Sequence, residues 1–444
     1  MTQDITLKNI NKLAIPALIA GVAEPILSLT DTAIIGNVDY NAAEALAAVG
    51  IVGTFISMLI WVFGQTRSAI SSIVSQHLGA DKLEQVKNLP AQAIFIITSI
   101  SILIILTTWP FASQIFKLYN ASDLILDYSV DYYRIRVFGF PFTLFTIAVF
   151  GTFRGLQNTF YPMIIAIVGT IVNIILDVIL VYGIEDFIAP MHIEGAAYAS
   201  VCAQITMALL SVFYLLRKTS ISLRLQLPFN DQIENFILMV ANLFVRTLAL
   251  NVTLYFATRF ATSYGTEYIA AYTIAINLWF LGAFIIDGYA SAGNILSGKL
   301  LGEKNYKKLV ELSQFLIQCG LVVGIILCFI GVLTYNWTGA LFTEDEAVLK
   351  QFNRIYWMVL IMQPFCALAF IFDGMFKGMG KMKFLRNLLL LSTGLVFIPL
   401  LFLFDNFDLK LHAIFIALTF WILARGIPLI IKFRQLFLSR SQKM

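Results

Sequence analysis

An amide and a carboxylate lie inside one long apolar stretch, the twenty residues from Met163 to Tyr182. Asn173 and Asp177 are four residues apart, so in a helix they project from the same face. A helix of that length rises about 30 Å, which is the thickness of the hydrocarbon core of a bilayer. An Asp at the centre of a membrane helix costs roughly 2.5 to 3.5 kcal/mol, so it usually faces a bundle interior or a wet cavity. We interpret Asp177 as a coupling or substrate residue; the alternative is an Asp that only joins helices by hydrogen bonds.

Further embedded acids occur in other apolar stretches. Asp31 lies in the first stretch, with Glu24 two turns earlier on a similar helix face. Asp287 and Asp373 lie in stretches of the C-terminal half. Asp31 is the strongest of the four candidates, and Glu24, Asp287 and Asp373 are candidates for lining a cavity. The alternatives are an acid near the outer interface for Asp31 and helix packing for the others.

The first apolar stretch also contains Pro16, Gly21 and Pro25. Proline removes a backbone hydrogen bond and glycine relaxes packing, so these residues are a candidate conformational hinge. The alternative is a static kink, which is common in membrane helices.

The composition identifies a polytopic membrane protein. Of 444 residues, 59% are hydrophobic and 13% charged, and the mean hydropathy is +0.84, which no water-soluble domain requires. The four cysteines lie in apolar stretches and the three histidines lack metal-ligand spacing, so no disulfide, zinc site or cofactor is expected. No feature points to nucleic acid, and no Walker sequence points to ATP.

Hydropathy divides the chain into twelve predicted spans with basic and acidic breaks in alternation. By the positive-inside rule both termini are cytoplasmic, which requires an even number of spans. The N-terminus is interpreted as a cytoplasmic lead rather than a signal peptide. The predicted limits are 12–35, 45–75, 91–117, 131–155, 161–183, 195–217, 234–261, 266–298, 310–341, 353–377, 385–405 and 411–433.

An internal repeat has a constant offset of 223 residues. Leu78-Gly79 recurs as Leu301-Gly302, and Phe153-Arg154-Gly155 recurs as Phe376-Lys377-Gly378. The repeat predicts two six-helix halves with the same orientation, lobes 1–222 and 223–444, joined by a cytoplasmic linker at about 217–231 and related by an axis along the membrane normal. The pathway is expected between the halves.

The repeat does not extend to the embedded acids. The positions 223 residues after Asp31, Asn173 and Asp177 are the apolar residues Leu254, Val396 and Leu400. The two halves are therefore not equivalent, and ion coupling, if present at these acids, belongs to the N-terminal half.

Four motifs together resemble the multidrug and toxic compound extrusion (MATE) family, in particular its branch named for the DNA-damage-inducible protein F. These motifs are Leu27-Ser28-Leu29-Thr30-Asp31-Thr32-Ala33-Ile34-Ile35-Gly36, with Glu44-Ala45-Leu46-Ala47-Ala48-Val49-Gly50; the turn Phe153-Arg154-Gly155-Leu156-Gln157-Asn158-Thr159; Asn173-Ile174-Ile175-Leu176-Asp177; and Gly195-Ala196-Ala197-Tyr198-Ala199-Ser200.

The resemblance implies a secondary efflux transporter with an all-α fold of twelve transmembrane helices, in two six-helix lobes around a central cavity. It would export organic compounds, cationic or lipophilic, in exchange for protons or sodium ions. The family's cation-coupling residues fall on Asp31, Asp177, Asn173 and Ser200, with Tyr132 as a neighbour. A sodium site would lie at Asp31, Asn173 and Asp177.

The competing functions are a flippase for a lipid-linked precursor, an integral-membrane enzyme and a passive channel. A flippase is disfavoured because no strongly cationic cavity is evident, and an enzyme because no catalytic or metal-ligating set emerges. We expect a monomer in the bacterial inner membrane, with membrane lipid and small organic substrates as its partners.

Overall fold

The computed structural model describes residues 5–36, 41–184 and 187–441, without the side chains at 23–25, 28–29, 42 and 439–441. The described residues are helical apart from loops and one isolated bridge between Ile184 and Ile188. Helices satisfy every backbone polar group internally, which a chain this apolar requires in a bilayer. The helices are α1 (Leu7–Ile35), α2 (Ala42–Phe63), α3 (Thr66–Gly79), α4 (Leu89–Thr108), α5 (Ala112–Lys117), α6 (Asp123–Arg136), α7 (Phe140–Gly155), α8 (Phe160–Tyr182), α9 (His192–Lys218), α10 (Ile233–Ser263), α11 (Thr266–Gly302), α12 (Tyr306–Leu333), α13 (Tyr335–Thr338), α14 (Glu346–Gly378), α15 (Met382–Leu391), α16 (Ile398–Asp405) and α17 (Leu411–Ser441).

Within the described residues, eleven helical segments are long and apolar enough to cross a membrane. The 29-residue helix α1 precedes them, and the resulting twelve long segments follow the order of the twelve predicted spans. Membrane-spanning helices were therefore predictable from apolar length alone, because the bilayer sets that length.

Several boundaries differ from the predicted limits. The second predicted span consists of α2 and α3, which are separated by a turn at Gly64 and Gln65. The third span ends at Thr108, two residues before Pro110, because proline cannot continue the helical hydrogen-bond pattern. The eleventh span contains a π-helical turn, Ser392–Phe397, between α15 and α16.

The chain forms two compact units. One comprises Ile19–Val74 and Lys82–Val240, and the other comprises Met1–Leu18, Ser75–Asp81 and Ala241–Met444. The change from one unit to the other in α1 occurs between Leu18 and Ile19. The division into lobes 1–222 and 223–444 stays a prediction.

Close helix contacts recur at the spacing of the internal repeat. A Cβ at Gly155 would touch Val74 and the carbonyl oxygen of Ser71, and a Cβ at Gly378 would overlap Ser297 and the carbonyl oxygen of Asn294. Adding 223 to the first set of positions produces the second set. The same offset relates a further pair of contacts one helical turn earlier, Gly151 against Arg67 and Gly374 against Ala290. The glycines therefore recur because both units pack equivalent helices at the same close distance.

The segment between α9 and α10 is held by polar side chains of the N-terminal half. The Gln92 side-chain amide donates to the Gln226 carbonyl oxygen at 2.7 Å, and its oxygen accepts from the Asn230 backbone N–H at 2.8 Å. Asn230 in turn donates to the Gln85 carbonyl oxygen at 2.7 Å. The predicted linker thus has defined anchors within one unit, which supply the hydrogen bonds that its irregular backbone lacks.

Candidate functional site

Four helices of one unit bring five polar side chains together at a buried cluster, which we call the acid cluster. Helix α1 contributes Asp31, α6 contributes Tyr132, α8 contributes Asn173 and Asp177, and α9 contributes Ser200. Each of the five residues is at most 2% exposed. Asn173 and Asp177 reach the cluster from one face of α8, as their four-residue spacing predicts.

Asp31 is the acceptor at the centre of the acid cluster. Its Oδ2 accepts from the Ser200 hydroxyl at 2.8 Å and from the Tyr132 hydroxyl at 3.1 Å. Its Oδ1 accepts from the Asn173 side-chain amide at 3.4 Å. Three donors around one carboxylate stabilise its charged form and fix its orientation.

Asp177 lies beside Asp31 and has a different environment. The charges of the two carboxyl groups act on each other. Among the described residues, no donor reaches either Asp177 oxygen or Asn173 Oδ1. Three buried oxygens without donors suit either a shared proton or a small cation, because hard cations such as sodium bind oxygen ligands.

The residues therefore fit the predicted sodium site at Asp31, Asn173 and Asp177 by the nature and burial of their oxygens. They fit a proton equally well, because two adjacent carboxylates in a dry site cannot both stay charged without compensation. The same buried oxygens thus suit either ion, and the coupling ion stays a prediction.

Arg136 is a member of the site that the sequence did not indicate. It is 6% exposed, and its charge acts on both Asp31 and Asp177. It follows Tyr132 by four residues on α6, so both side chains leave the same helix face. Arg136 could have been found in the sequence from that four-residue spacing together with its position inside an apolar span.

The other predicted acids belong to the other compact unit or lie outside the described residues. Asp287 on α11 is exposed, whereas Asp373 on α14 is 6% exposed. Asp373 makes ion pairs with Arg246 at 2.6 Å and with Lys377 at 3.0 Å. The side chain of Glu24 lies outside the described residues.

The predicted hinge residues lie in a continuous helix. α1 runs through Pro16 and Gly21 without a break in its helical conformation. A Cβ at Gly21 would have no heavy atom of the described residues within 4 Å, so close packing among them does not require this glycine. The side chain of Pro25 lies outside the described residues. The hinge role of these residues stays a prediction.

The comparison with protein families gives one match in each half of the chain. The family model described as MatE matches residues 16–179 and 242–403. The DNA damage-inducible protein F of Escherichia coli K12 is 25% identical over 425 residues, which cover 94% of this chain and 90% of that protein. Protein DETOXIFICATION 44, chloroplastic, of Arabidopsis thaliana is 28% identical over 399 residues, covering 84% of this chain and 72% of that protein.

A more distant relative is the Multidrug export protein MepA of Staphylococcus aureus strain N315, which is 22% identical over 338 residues, covering 75% of this chain and 73% of that protein. The name of that protein describes it as an exporter of several drugs.

Solved structures match the fold over nearly the whole chain. The crystal structure of a MATE protein in the bent conformation superposes with a TM-score of 0.90 at 20% identity, covering 98% of this chain and 96% of that one. A MATE structure in the straight conformation has a TM-score of 0.87 at 20% identity, covering 98% and 97%. The predicted all-α membrane fold of twelve helices in two lobes is confirmed. Because the family model matches both halves of the chain and most of its length, this protein belongs to the MatE family.

Proposed function

We propose that this chain is a secondary active transporter that exports organic compounds, cationic or lipophilic, in exchange for protons or sodium ions. Membership of the MatE family supports transport rather than catalysis, and the name of the Staphylococcus aureus relative supports export of drugs. The observation that carries the ion coupling is the acid cluster, in which donors surround Asp31 but none of the described residues donates to Asp177.

In this proposal the acid cluster takes up the coupling ion when it is open to the outside. Uptake changes the charge of a group that helices α1, α6, α8 and α9 share through hydrogen bonds, so those helices repack. Asp31 connects α1 to the other three helices, which makes α1 the element that responds. Repacking then lowers the affinity for the organic compound, which leaves on the outer side.

α1 has features that suit a moving element. The change between the two compact units occurs between Leu18 and Ile19, a boundary flanked by Pro16 and Gly21. Pro16 cannot donate to the helical hydrogen-bond ladder, and none of the described residues packs within 4 Å of a Cβ at Gly21. These features support bending of α1 as the conformational step.

The cellular setting belongs to the same proposal. The bacterial relatives support a bacterial inner membrane, and the alternating charge of the breaks supports cytoplasmic termini. We propose a monomer that carries small organic molecules and uses no cofactor beyond the coupling ion.

The test uses purified protein in liposomes that contain a fluorescent organic cation. Efflux is measured under a proton gradient and, separately, a sodium gradient, for wild type, Asp31→Asn and Asp177→Asn. We expect one gradient to drive efflux and each substitution to reduce it at least about tenfold, because the coupling charge is lost.

Asp127→Asn is the matched control, because Asp127 is an exposed acid on α6, the helix that carries Tyr132 and Arg136. It should transport as wild type does. Size-exclusion elution and thermal melting establish that each variant is folded. Gradient-driven efflux by folded Asp31→Asn and Asp177→Asn proteins would show that the acid cluster does not couple transport.

A further inference from the structure

The other unit contains a buried group of charges in which positive charge is in excess, and we call it the cation cluster. Arg246 on α10, Lys377 on α14 and Arg425 on α17 surround Asp373. The distances to the Asp373 carboxylate oxygens are 2.6 Å, 3.0 Å and 3.9 Å respectively. The side chains of Arg246, Arg425 and Asp373 are at most 9% exposed, and that of Lys377 is 16% exposed.

The charges of the cation cluster do not balance. Asp373 compensates one of three cations, and the exposed Asp287 acts on Lys377 from α11. With both acids counted, the described residues leave one positive charge of the cluster without a counter-charge. The cations also act on one another, since Arg246 repels both Lys377 and Arg425. A buried charge without a counter-charge is costly, so such a site favours a further anion.

Two aromatic rings orient the Arg425 guanidinium and leave it able to donate a further hydrogen bond. Its guanidinium lies over the Trp421 ring at 4.6 Å and the Phe370 ring at 5.7 Å. Its Nη2 is 3.9 Å from Asp373, which is an ion pair beyond hydrogen-bond length. Its buried Nη1 has no acceptor among the described residues. The rings occupy the faces of the guanidinium, and its edge is available to an acceptor.

The geometry points to the cation cluster as the binding site for a carboxylate group of the transported compound, with Arg425 as the main donor. This inference rests on the proposed function and adds that the exported compounds include carboxylates, zwitterionic or anionic. A guanidinium presents paired N–H donors whose spacing matches a carboxylate, so it suits this ligand better than a point charge does. Lys377, the most exposed member, marks the side from which the ligand enters.

Two dyes that differ at one group test the inference. Rhodamine 110 carries a free carboxylate, and rhodamine 123 is its methyl ester with the same rings. Binding of each dye to the full-length protein in phosphatidylcholine nanodiscs is measured by fluorescence anisotropy. We expect the wild type to bind rhodamine 110 about tenfold more tightly than rhodamine 123, the scale of one charge-assisted hydrogen bond.

Substitutions then test which residues cause the preference for rhodamine 110. Arg425→Gln should weaken rhodamine 110 binding about tenfold and so remove the preference for that dye, whereas Arg425→Lys should retain part of the preference. Asp373→Asn should increase the preference, because it removes the internal competitor for the cations. Arg246→Gln is the second test, should Arg425→Gln elute as an aggregate. Equal binding of both dyes by wild type would overturn the inference without any variant.

A lipid headgroup is the alternative source of an anion. Measurements repeated in nanodiscs that contain phosphatidylglycerol separate the two sources. An unchanged preference for rhodamine 110 supports a substrate site. If the anionic lipid abolishes the preference, the cluster binds a headgroup and the substrate role is wrong. Gradient-driven efflux of rhodamine 123 tests the proposed function separately, because that dye has no carboxylate.

Discussion

Ser200 shows how much a single hydroxyl contributes to the acid cluster. It donates the shortest of the hydrogen bonds to Asp31 within the described residues, at 2.8 Å, and it is 2% exposed. Its place in the cluster was implied by family resemblance, because a serine within an apolar helix has no signal of its own. What distinguishes it is its partner, a carboxylate 169 residues earlier in the chain.

Removing that hydroxyl should weaken both stability and transport. Ser200→Ala leaves Asp31 Oδ2 with the Tyr132 hydroxyl as its remaining donor, so we expect a loss of about 1 kcal/mol in unfolding free energy. Gradient-driven efflux should fall severalfold. Ser200→Thr keeps the hydroxyl and serves as the control. Thermal melting and the liposome assay measure the two effects; wild-type behaviour of Ser200→Ala in both would contradict the role of the hydrogen bond.

Helix α1 provides a prediction at the scale of the element. Alanine at Gly21 would meet no atom of the described residues within 4 Å, so Gly21→Ala should not disturb packing. Alanine stabilises the helical conformation by about 0.5 to 1 kcal/mol relative to glycine, so it opposes bending of the helix. If α1 bends during transport, we expect a slower efflux rate together with an equal or higher melting temperature.

Gly50→Ala is the matched control for that substitution. Gly50 is also helical, also lacks any atom within 4 Å of an added Cβ, and lies in α2, away from the proposed hinge. It should transport as wild type does. An equal slowing by Gly50→Ala and Gly21→Ala would show that helix stiffness in general, rather than bending of α1, limits the rate.

The contact between the ends of α3 and α11 depends on glycine for another reason. A Cβ at Gly302 would overlap the carbonyl oxygen of Gln76, and a Cβ at Gly79 would overlap that of Lys299. These two contacts are related by the 223-residue offset, so each repeats the other. Backbone cannot yield as a side chain can, and Gly302→Ala should therefore destabilise the protein by about 1 to 3 kcal/mol.

The melting temperature of Gly302→Ala, compared with that of Gly50→Ala, measures this effect. We expect only Gly302→Ala to melt at a lower temperature. If the two variants have the same melting temperature, the helix ends can separate without loss of stability. The close contact is then not required for stability.

The orientation of the whole molecule is predicted by its charge distribution. Basic residues in alternate breaks predict that both termini and the segment between α9 and α10 lie in the cytoplasm. A membrane-impermeant maleimide tests this in intact cells, with single cysteines introduced as Leu225→Cys in that segment and Phe342→Cys before α14, in a background without the native cysteines. We expect labelling at position 342 and none at 225 until the cells are opened. Labelling at 225 in intact cells would reverse the orientation.

The sequence by itself determined the class of fold, the order of the spans and the recurrence of close helix contacts at the repeat spacing. These features follow from local rules: the bilayer demands apolar helices of set length, and equivalent close contacts select glycine at equivalent positions. The pair Asn173 and Asp177 was visible for the same reason, because both lie on one helix face.

Only the tertiary structure decided which charges meet. The charge of Arg136 acts on Asp31 and Asp177 because the acid cluster brings residues of α1, α6 and α8 together in one unit, and Arg246 pairs with an acid 127 residues later in the chain. Such partners are set by the rotation and depth of separate helices, which no periodicity within one helix specifies. The sequence suggested no concentration of buried positive charge, and the structure shows one, because α10, α14 and α17 each contribute a cation to the same place.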